Sequence, residues 1–471
     1  VSAFPRDFLW GAATSAYQIE GSPLADGAGP SNWHVFAHTP GKTRGGETGD
    51  VACDHYRRWR EDVALMRELG LNAYRFSLAW SRVLPAGTGR VNVAGLDFYD
   101  RLVDALLESG IVPFATLHHW DLPAALDERG GWLNPDSAHW FADYAVVVWK
   151  RLGDRVGAWS TLNEPWVIAD AGYLHGVHPP GHRSVSETPR VAHNLLRAHG
   201  LAVQAFRALP AGLRAGGGGR IGIVINIEPK DPAGAGEADV AASRRADAYM
   251  NRFYLDALFK GRYPEELAAI FAAGWPGYVA GDPAADFPLI AEPIDFLGVN
   301  YYTRGVTRYD PDAPPVYTAA VRRPDAEYTE LGWEVHPESL LRTLCWLKER
   351  YGDTPLYVTE NGAAFADPAP AAPRRAGAPA RVADPRRVAY LRSHLAALRE
   401  ALSRGVDVRG YFAWSLLDNY EWACGYAKRF GIVAVDYADQ RRTVKDSGWF
   451  YRNVIACGGD DLDAIPATDS V

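Results

Sequence analysis

A single (β/α)8 barrel with long loops crowding one mouth is the fold predicted for this 471-residue chain, on three observations. Eight short apolar runs alternate with longer segments of helical period along the whole sequence. No GxGxxG or GxxxxGK[ST] follows the first run, "WGAATSAYQIEG", which argues against an open doubly wound sheet built on a phosphate turn. A barrel of this kind takes about 250 residues, leaving roughly 200 for loops and extra elements. No internal repeat and no convincing linker divides the chain, so 1–471 reads as one domain.

The first strand falls in "FLWGAATSAYQ" (8–18), the second in "NAYRFSLAW" (72–80), the third in "IVPFATLHH" (111–119) and the fourth in "VGAWSTLNE" (156–164). "RIGIVINIE" (220–228), "IDFLGVNYY" (294–302), "PLYVTEN" (355–361) and "VRGYFAWSLLD" (408–418) complete the set. Between them, "DHYRRWREDVALMRELG", "LDFYDRLVDALLESG" and "ESLLRTLCWLKERYG" carry helical periodicity, and Leu391, Leu395, Leu398 and Leu402 line one face of another helix. Gly70, Gly110, Gly153, Gly352 and Gly405 each follow a helical segment, where a left-handed cap is expected. Five long insertions, 20–52, 165–186, 303–336, 362–384 and 419–447, all follow strand ends, the face on which a barrel carries its active site. The low-complexity stretch 366–384 and the tetraglycine 216–219 read as flexible.

A formal charge of −8, from 49 Lys plus Arg against 57 Asp plus Glu, argues against nucleic acid or an anionic membrane as partner. Trp (16) and Tyr (23) are abundant, and their flat apolar faces with a hydrogen-bonding edge suit sugar rings as well as large cores. Cys53, Cys345, Cys424 and Cys457 are far apart and form no CxxC pair, so reduced thiols in a cytoplasmic protein are expected, without disulfide or zinc site. No basic segment leads into an apolar one at the start, "VSAFPRDFLWGAATSAY", and no apolar run is long enough to span a bilayer.

The chemistry is concentrated at strand ends. Glu164 closes the fourth strand and Glu360 the seventh, each beside an asparagine. On a barrel both point into the same mouth. Two carboxylates facing each other across a pocket serve glycoside hydrolysis, one protonating the leaving oxygen and the other attacking or activating water. Either glutamate alone reads more readily as a helix cap; the matched pair favours chemistry. Gln18, Glu20, Arg75, His118, His119, Trp120, Asn300, Tyr301, Tyr302, Trp414, Glu421 and Trp422 stand at the other strand ends. Amide, imidazole and carboxylate groups over an aromatic floor suit sugar hydroxyls. Arg75 beside a carboxylate favours its charged form, as a nucleophile requires. HExxH is absent and no metal is expected.

The motifs "FLWGAATSAYQIEG", "YRFSLAWSR", "LHHWDLP", "TLNEP", "NYY", "TENG" and "WSLLDNYEW", in that order from residue 8 to beyond 430, resemble the family 1 glycoside hydrolases, the β-glucosidase family. The resemblance implies a retaining double displacement in a (β/α)8 barrel without cofactor, with Glu164 as acid/base and Glu360 as nucleophile. It implies that Gln18, His119, Asn163, Trp414, Glu421 and Trp422 hold the non-reducing sugar. It also implies that Tyr302 hydrogen-bonds the nucleophile, that Arg75 lies beside it, and that Trp333 lines the aglycone side. Relatives that cleave thioglucosides carry Gln in place of the "NEP" glutamate, which is kept here. Relatives that take 6-phosphoglycosides carry Ser where Glu421 stands and Tyr where Phe430 stands; Lys428 occurs in both kinds. An ionised Glu421 accepting from O4 and O6 would repel a phosphate on C6. The expected substrates are cellobiose, short oligosaccharides and aryl or alkyl β-glucosides, with side activity on β-galactosides and β-fucosides. A transglycosylase and a non-catalytic sugar-binding protein are the alternatives on the same scaffold, and the oligomeric state is open.

Overall fold

Eight parallel strands close into a barrel in the computed structural model, which describes residues 4–271, 275, 283–368, 380–460 and 462–465. They are β1 (Leu9–Ala13), β2 (Ala73–Ser77), β3 (Val112–His118), β4 (Ala158–Asn163), β5 (Arg220–Asn226), β6 (Phe296–Asn300), β7 (Leu356–Asn361) and β8 (Val408–Trp414). Each pairs with its sequence neighbour, and β1 closes the ring on β8 with Leu9 opposite Gly410 and Ala13 opposite Trp414. The strands are buried almost throughout, as both faces must be when helices wrap a parallel sheet. The first and last apolar runs overestimate their strands: β1 stops at Ala13, and Gln18 sits on the short helix Ala16–Ile19.

Phe114, Phe296, Tyr357 and Phe412 fill the barrel interior, with ring centroids 5.2–5.4 Å apart, and the small residues Ala13, Ala73 and Ala158 make room for them. Outside the barrel, helices His55–Glu68, Val93–Glu108, Pro337–Tyr351 and Pro385–Ser403 occupy the expected periodic segments. In the last of these Leu391, Leu395 and Leu398 are buried and Leu402 half-buried. Gly70, Gly110, Gly352 and Gly405 take positive φ, as a helix stop requires. Gly153 does not: its φ is −67°, in the right-handed region. Its small size serves a close approach, since a Cβ there would lie 2.2 Å from the Leu213 carbonyl oxygen.

The insertions build the mouth. Gly305–Tyr309 pairs with Lys230–Pro232 and Thr318–Ala320, joining the loops after β5 and β6 into one small sheet. Val433–Asp436 and Arg441–Val444 form a hairpin after β8. A buried ion network ties the loops after β7 and β8 to helix Pro385–Ser403. In it Lys445 reaches Asp367 at 2.5 Å and Asp418 at 2.7 Å, and Arg387 reaches Asp367 at 2.9 Å and Asp384 at 2.5 Å. Residues 369–379, most of the stretch expected to be flexible, lie outside the described residues. The glycine run begins within a 3-10 turn, Ala215–Gly217. The four cysteines are unpaired, and no described helix is long and apolar enough to cross a membrane.

Candidate active site

The polypeptide departs from regularity at the two strands that end in glutamate. The register between β4 and β5 shifts between Ser160 and Asn163, and that between β7 and β6 shifts between Val358 and Glu360. Such irregularities re-aim side chains at strand ends. Glu164 itself takes φ +49°, ψ 65°, unusual for a residue with a Cβ, while its amide still donates to the Val224 carbonyl at 2.9 Å. Pro165 then opens the helix Pro165–Ala169. Gly362 follows Glu360 and Asn361 for a steric reason: a Cβ there would lie 1.8 Å from the Trp414 carbonyl oxygen on β8.

One chain of hydrogen bonds joins the two glutamates. Arg75 donates from Nη1 to Glu360 Oε1 at 2.5 Å and from Nη2 to Asn163 Oδ1 at 2.7 Å. Asn300 Nδ2 donates to the same Asn163 oxygen at 3.0 Å and to Glu164 Oε1 at 2.6 Å. Tyr302 donates its hydroxyl to Glu360 Oε2 at 2.5 Å, and Thr359 donates to Asn300 Oδ1 at 2.7 Å, fixing the amide's orientation. The two carboxyls therefore have different surroundings. Glu360 has a guanidinium and a phenol directly upon it. Glu164 receives one amide N–H, and burial together with the charge of Glu360 pushes it up to about 8. At neutral pH it holds a proton.

A cavity of about 360 Å³ opens over this network. Of the residues singled out in the sequence, Trp120, Glu164, Asn300, Tyr302, Trp333, Glu421 and Trp422 line it. The others stand directly behind. Gln18 Nε2 donates to Asn419 Oδ1 at 3.1 Å and lies 3.4 Å from Glu421 Oε2. His119 stacks between Trp414 and Trp422, with ring centroids 5.8 and 6.0 Å away, and meets Asn163 Nδ2 at 3.1 Å. Burial pushes its imidazole well down, so the ring is neutral and can both donate and accept. Trp333 packs against Tyr302 at 5.1 Å and Phe430 at 6.1 Å. Tyr17, Trp33, Phe36 and Tyr420 cluster with Trp422 and fix its ring.

Three expectations need correction. Glu20 is not in the site: it is buried with Arg82 at 3.0 Å and Tyr99 at 2.7 Å. Tyr301 points away from the mouth and donates to the His336 carbonyl at 2.6 Å, as strand alternation demands between inward Asn300 and Tyr302. Glu421, expected to be ionised, is pushed up to about 8 by burial and by Glu360, against the favourable Gln18 contact. In the ligand-free pocket at pH 7 its neutral form prevails.

Sequence reasoning did not single out Asn226, Trp166, His178 or Thr303, all of which line the cavity. Asn226 ends β5 opposite Asn300, and its Oδ1 is buried without a protein partner. The rule that found the glutamates, a polar residue closing an apolar strand, would have found it too. His178 comes from the loop after β4, where spacing carries no signal.

Residues 1–460 match the glycosyl hydrolase family 1. The chain is 50% identical over 460 residues to Beta-glucosidase A of Thermotoga maritima, covering 98% of this chain and 99% of that one. It is 45% identical over 471 residues to a bifunctional beta-D-glucosidase/beta-D-fucosidase of Bifidobacterium breve, covering 96% and 98%. The Thermotoga maritima beta-glucosidase solved in complex with glucoimidazole superimposes with a TM-score of 0.90 at 49% identity, over 98% of this chain and 100% of that one. With the barrel, the paired glutamates and the cavity above them, this likeness over nearly the whole length means that the chain belongs to glycosyl hydrolase family 1.

Proposed function

We propose that this protein is a retaining β-glucosidase, one catalytic domain throughout, that releases glucose from the non-reducing end of cellobiose, short oligosaccharides and aryl or alkyl β-glucosides. The observation that carries the reading is the unlike environment of two linked carboxyls: Glu360 under Arg75 and Tyr302, Glu164 raised to about 8. Environments that push two carboxyls apart assign an acid and a nucleophile. Protonated Glu164 gives its proton to the glycosidic oxygen as Glu360 attacks the anomeric carbon and the bond to the aglycone breaks. The resulting Glu164 carboxylate then takes a proton from water, which displaces Glu360 from the same carbon. Two inversions leave the product with the substrate's configuration.

Gln18, His119, Asn163, Trp414, Glu421 and Trp422 hold the non-reducing sugar in this reading, and Trp333 faces the aglycone. Changes at C4 and C6 leave the reacting centre untouched, so β-fucosides and β-galactosides are side substrates; the Bifidobacterium relative is named for both glucosidase and fucosidase activities. Soluble products of cellulose breakdown are suitable substrates, and the four unpaired cysteines favour a reducing, cytoplasmic compartment.

The test is nitrophenol release from an aryl β-glucoside together with proton NMR of the first sugar formed. β-Glucose appearing before mutarotation is the expected result. An α-anomer formed first removes the double displacement. For the roles, Glu164→Ala should slow poor leaving groups far more than good ones, and azide should restore turnover as a β-glycosyl azide. Equal slowing of all leaving groups with no azide effect would reassign the acid.

A further inference from the structure

Away from the catalytic mouth, the insertion after β1 brings together three side chains whose donor atoms lie within 4.8 Å of one another: His34, His38 and Asp50. His34 and His38 are four residues apart on and just after the helix Asn32–Ala37, which places both imidazoles on one face with ring centroids 4.2 Å apart. The helix start is fixed by Ser31, whose hydroxyl accepts from the His34 amide at 3.1 Å. Asp50 arrives from the far end of the same insertion, held by its carbonyl, which accepts from the Ser22 amide at 2.7 Å.

The hydrogen bonds leave this cluster incomplete. His38 Nδ1 lies 2.7 Å from the His34 carbonyl, which can only accept, so Nδ1 carries a proton. His38 Nε2 then faces Asp50 Oδ2 at 3.0 Å. A doubly protonated His38 would satisfy that one contact as an ion pair. It would do nothing for the other two atoms. His34 Nδ1 and Asp50 Oδ1 lie 3.4 Å apart, an ion pair only if that nitrogen is protonated, and both are shielded from solvent and make no hydrogen bond. A separation of 3.4 Å is that of two ligands, each about 2.1 Å from a metal, subtending roughly a tetrahedral angle. A carbonyl on the second nitrogen of one ligating histidine is the usual outer support of such a ring.

We infer that His34 Nδ1, His38 Nε2 and the Asp50 carboxylate form a binding site for a divalent first-row transition cation of the zinc type. Two imidazoles and one carboxylate suit zinc, cobalt, nickel or copper, whereas calcium and magnesium prefer sets of oxygen ligands. Water completes the coordination. The cation would staple the two ends of the insertion 34–50. That segment and Trp33 just before it back the sugar pocket: Trp33 packs on Trp422 with ring centroids 4.6 Å apart, and Glu47 accepts from the Tyr426 amide at 2.8 Å. The site is structural, and its loss leaves the catalytic groups in place.

The test uses the untagged, chelator-treated protein. Zn²⁺ is titrated against a chromophoric chelator, Co²⁺ uptake is followed by visible absorption, and melting is measured with and without Zn²⁺. One equivalent bound at micromolar concentration, a tetrahedral Co²⁺ spectrum and a raised melting temperature are expected. His38→Ala and Asp50→Ala, both changes at solvent-facing side chains, should each weaken uptake at least about tenfold while aryl-glucoside turnover is unchanged. Wild-type protein that takes up no Zn²⁺ at micromolar concentration overturns the site. Equal uptake by the wild type and both variants overturns it as well, because the ligands would then lie elsewhere.

Discussion

At the scale of single residues, identical side chains stand in unlike surroundings: Arg75 and Tyr302 on Glu360, a single amide N–H on Glu164. Glu164 is raised to about 8 mainly by burial, then by Glu360, while the N–H of Asn300 opposes the shift. In the proposed mechanism Glu164 acts as a protonated acid, so kcat/KM should fall as pH rises through the Glu164 value. Asn300→Ala removes a donor that favours the charged carboxylate, which moves Glu164 further up; the alkaline limb of the pH profile should shift to higher pH even as overall activity falls. A limb that stays put would show that another group controls it. Glu421 is likewise raised to about 8, so it gains its charge as pH rises through that value. Discrimination between an aryl β-glucoside and its 6-phosphate should therefore be sharper at pH 9 than at pH 7 (both chosen as about one unit from the Glu421 value), because like charges then meet in a poorly solvated pocket. Taking the ratio of the two kcat/KM values cancels the Glu164 limb. Glu421→Ser should abolish the pH dependence of that ratio and, at pH 9 where the carboxylate is charged, weaken the glucoside reaction by about 1.5–3 kcal/mol for each charge-assisted hydrogen bond lost. A ratio independent of pH in the wild type would place Glu421 away from O6.

At the scale of elements, the strand ends matter more than the strands. Regular β4 and β7 would send alternate residues inward on a fixed register; the shifts before Asn163 and Glu360 let Asn163 and Glu360 share Arg75. The close approach of β7 to β8 at Gly362 is part of this geometry. Gly362→Ala would press a methyl group into the Trp414 carbonyl and force the two strands apart, two residues from Glu360. The expected cost is about 1–3 kcal/mol of stability, measured by denaturant unfolding, with a fall in kcat larger than any rise in KM. Unchanged stability and turnover would mean that the strand ends relax freely.

Across the whole molecule, the barrel supplies a rigid ring and the insertions supply the walls, so the walls need their own fastening. Lys445, Asp367, Asp418, Asp384 and Arg387 provide it where the loops after β7 and β8 meet helix Pro385–Ser403. Removing Lys445 leaves Asp367 with Arg387 and Asp418 with Arg429 as their remaining cations, so two buried carboxylates lose part of their compensation. Lys445→Ala should accordingly lower unfolding stability by about 3–5 kcal/mol. A loss below about 1 kcal/mol would show the network to be solvated in solution.

The alternation of apolar runs with helical segments determined the barrel and the segments its helices occupy, because burial on both faces of a parallel strand and on one face of a helix writes a period into the chain. The same logic exposed Glu164 and Glu360, since a charged residue at the end of an apolar strand breaks the pattern, and the resemblance carried by seven ordered motifs added the residues proposed to hold the sugar. What only the tertiary structure decided depends on contacts between residues far apart in sequence. That Glu20 turns away to Arg82 and Tyr99, that Gly153 serves a close approach rather than a left-handed cap, and that Glu421 is driven towards its neutral form by a neighbour 61 residues before it could not be read from spacing. The convergence of Asp50 on His34 and His38 is of the same kind. Periodicity reports which face of an element is buried; it says nothing of which polar groups meet there, and in a low-dielectric interior those meetings set charge.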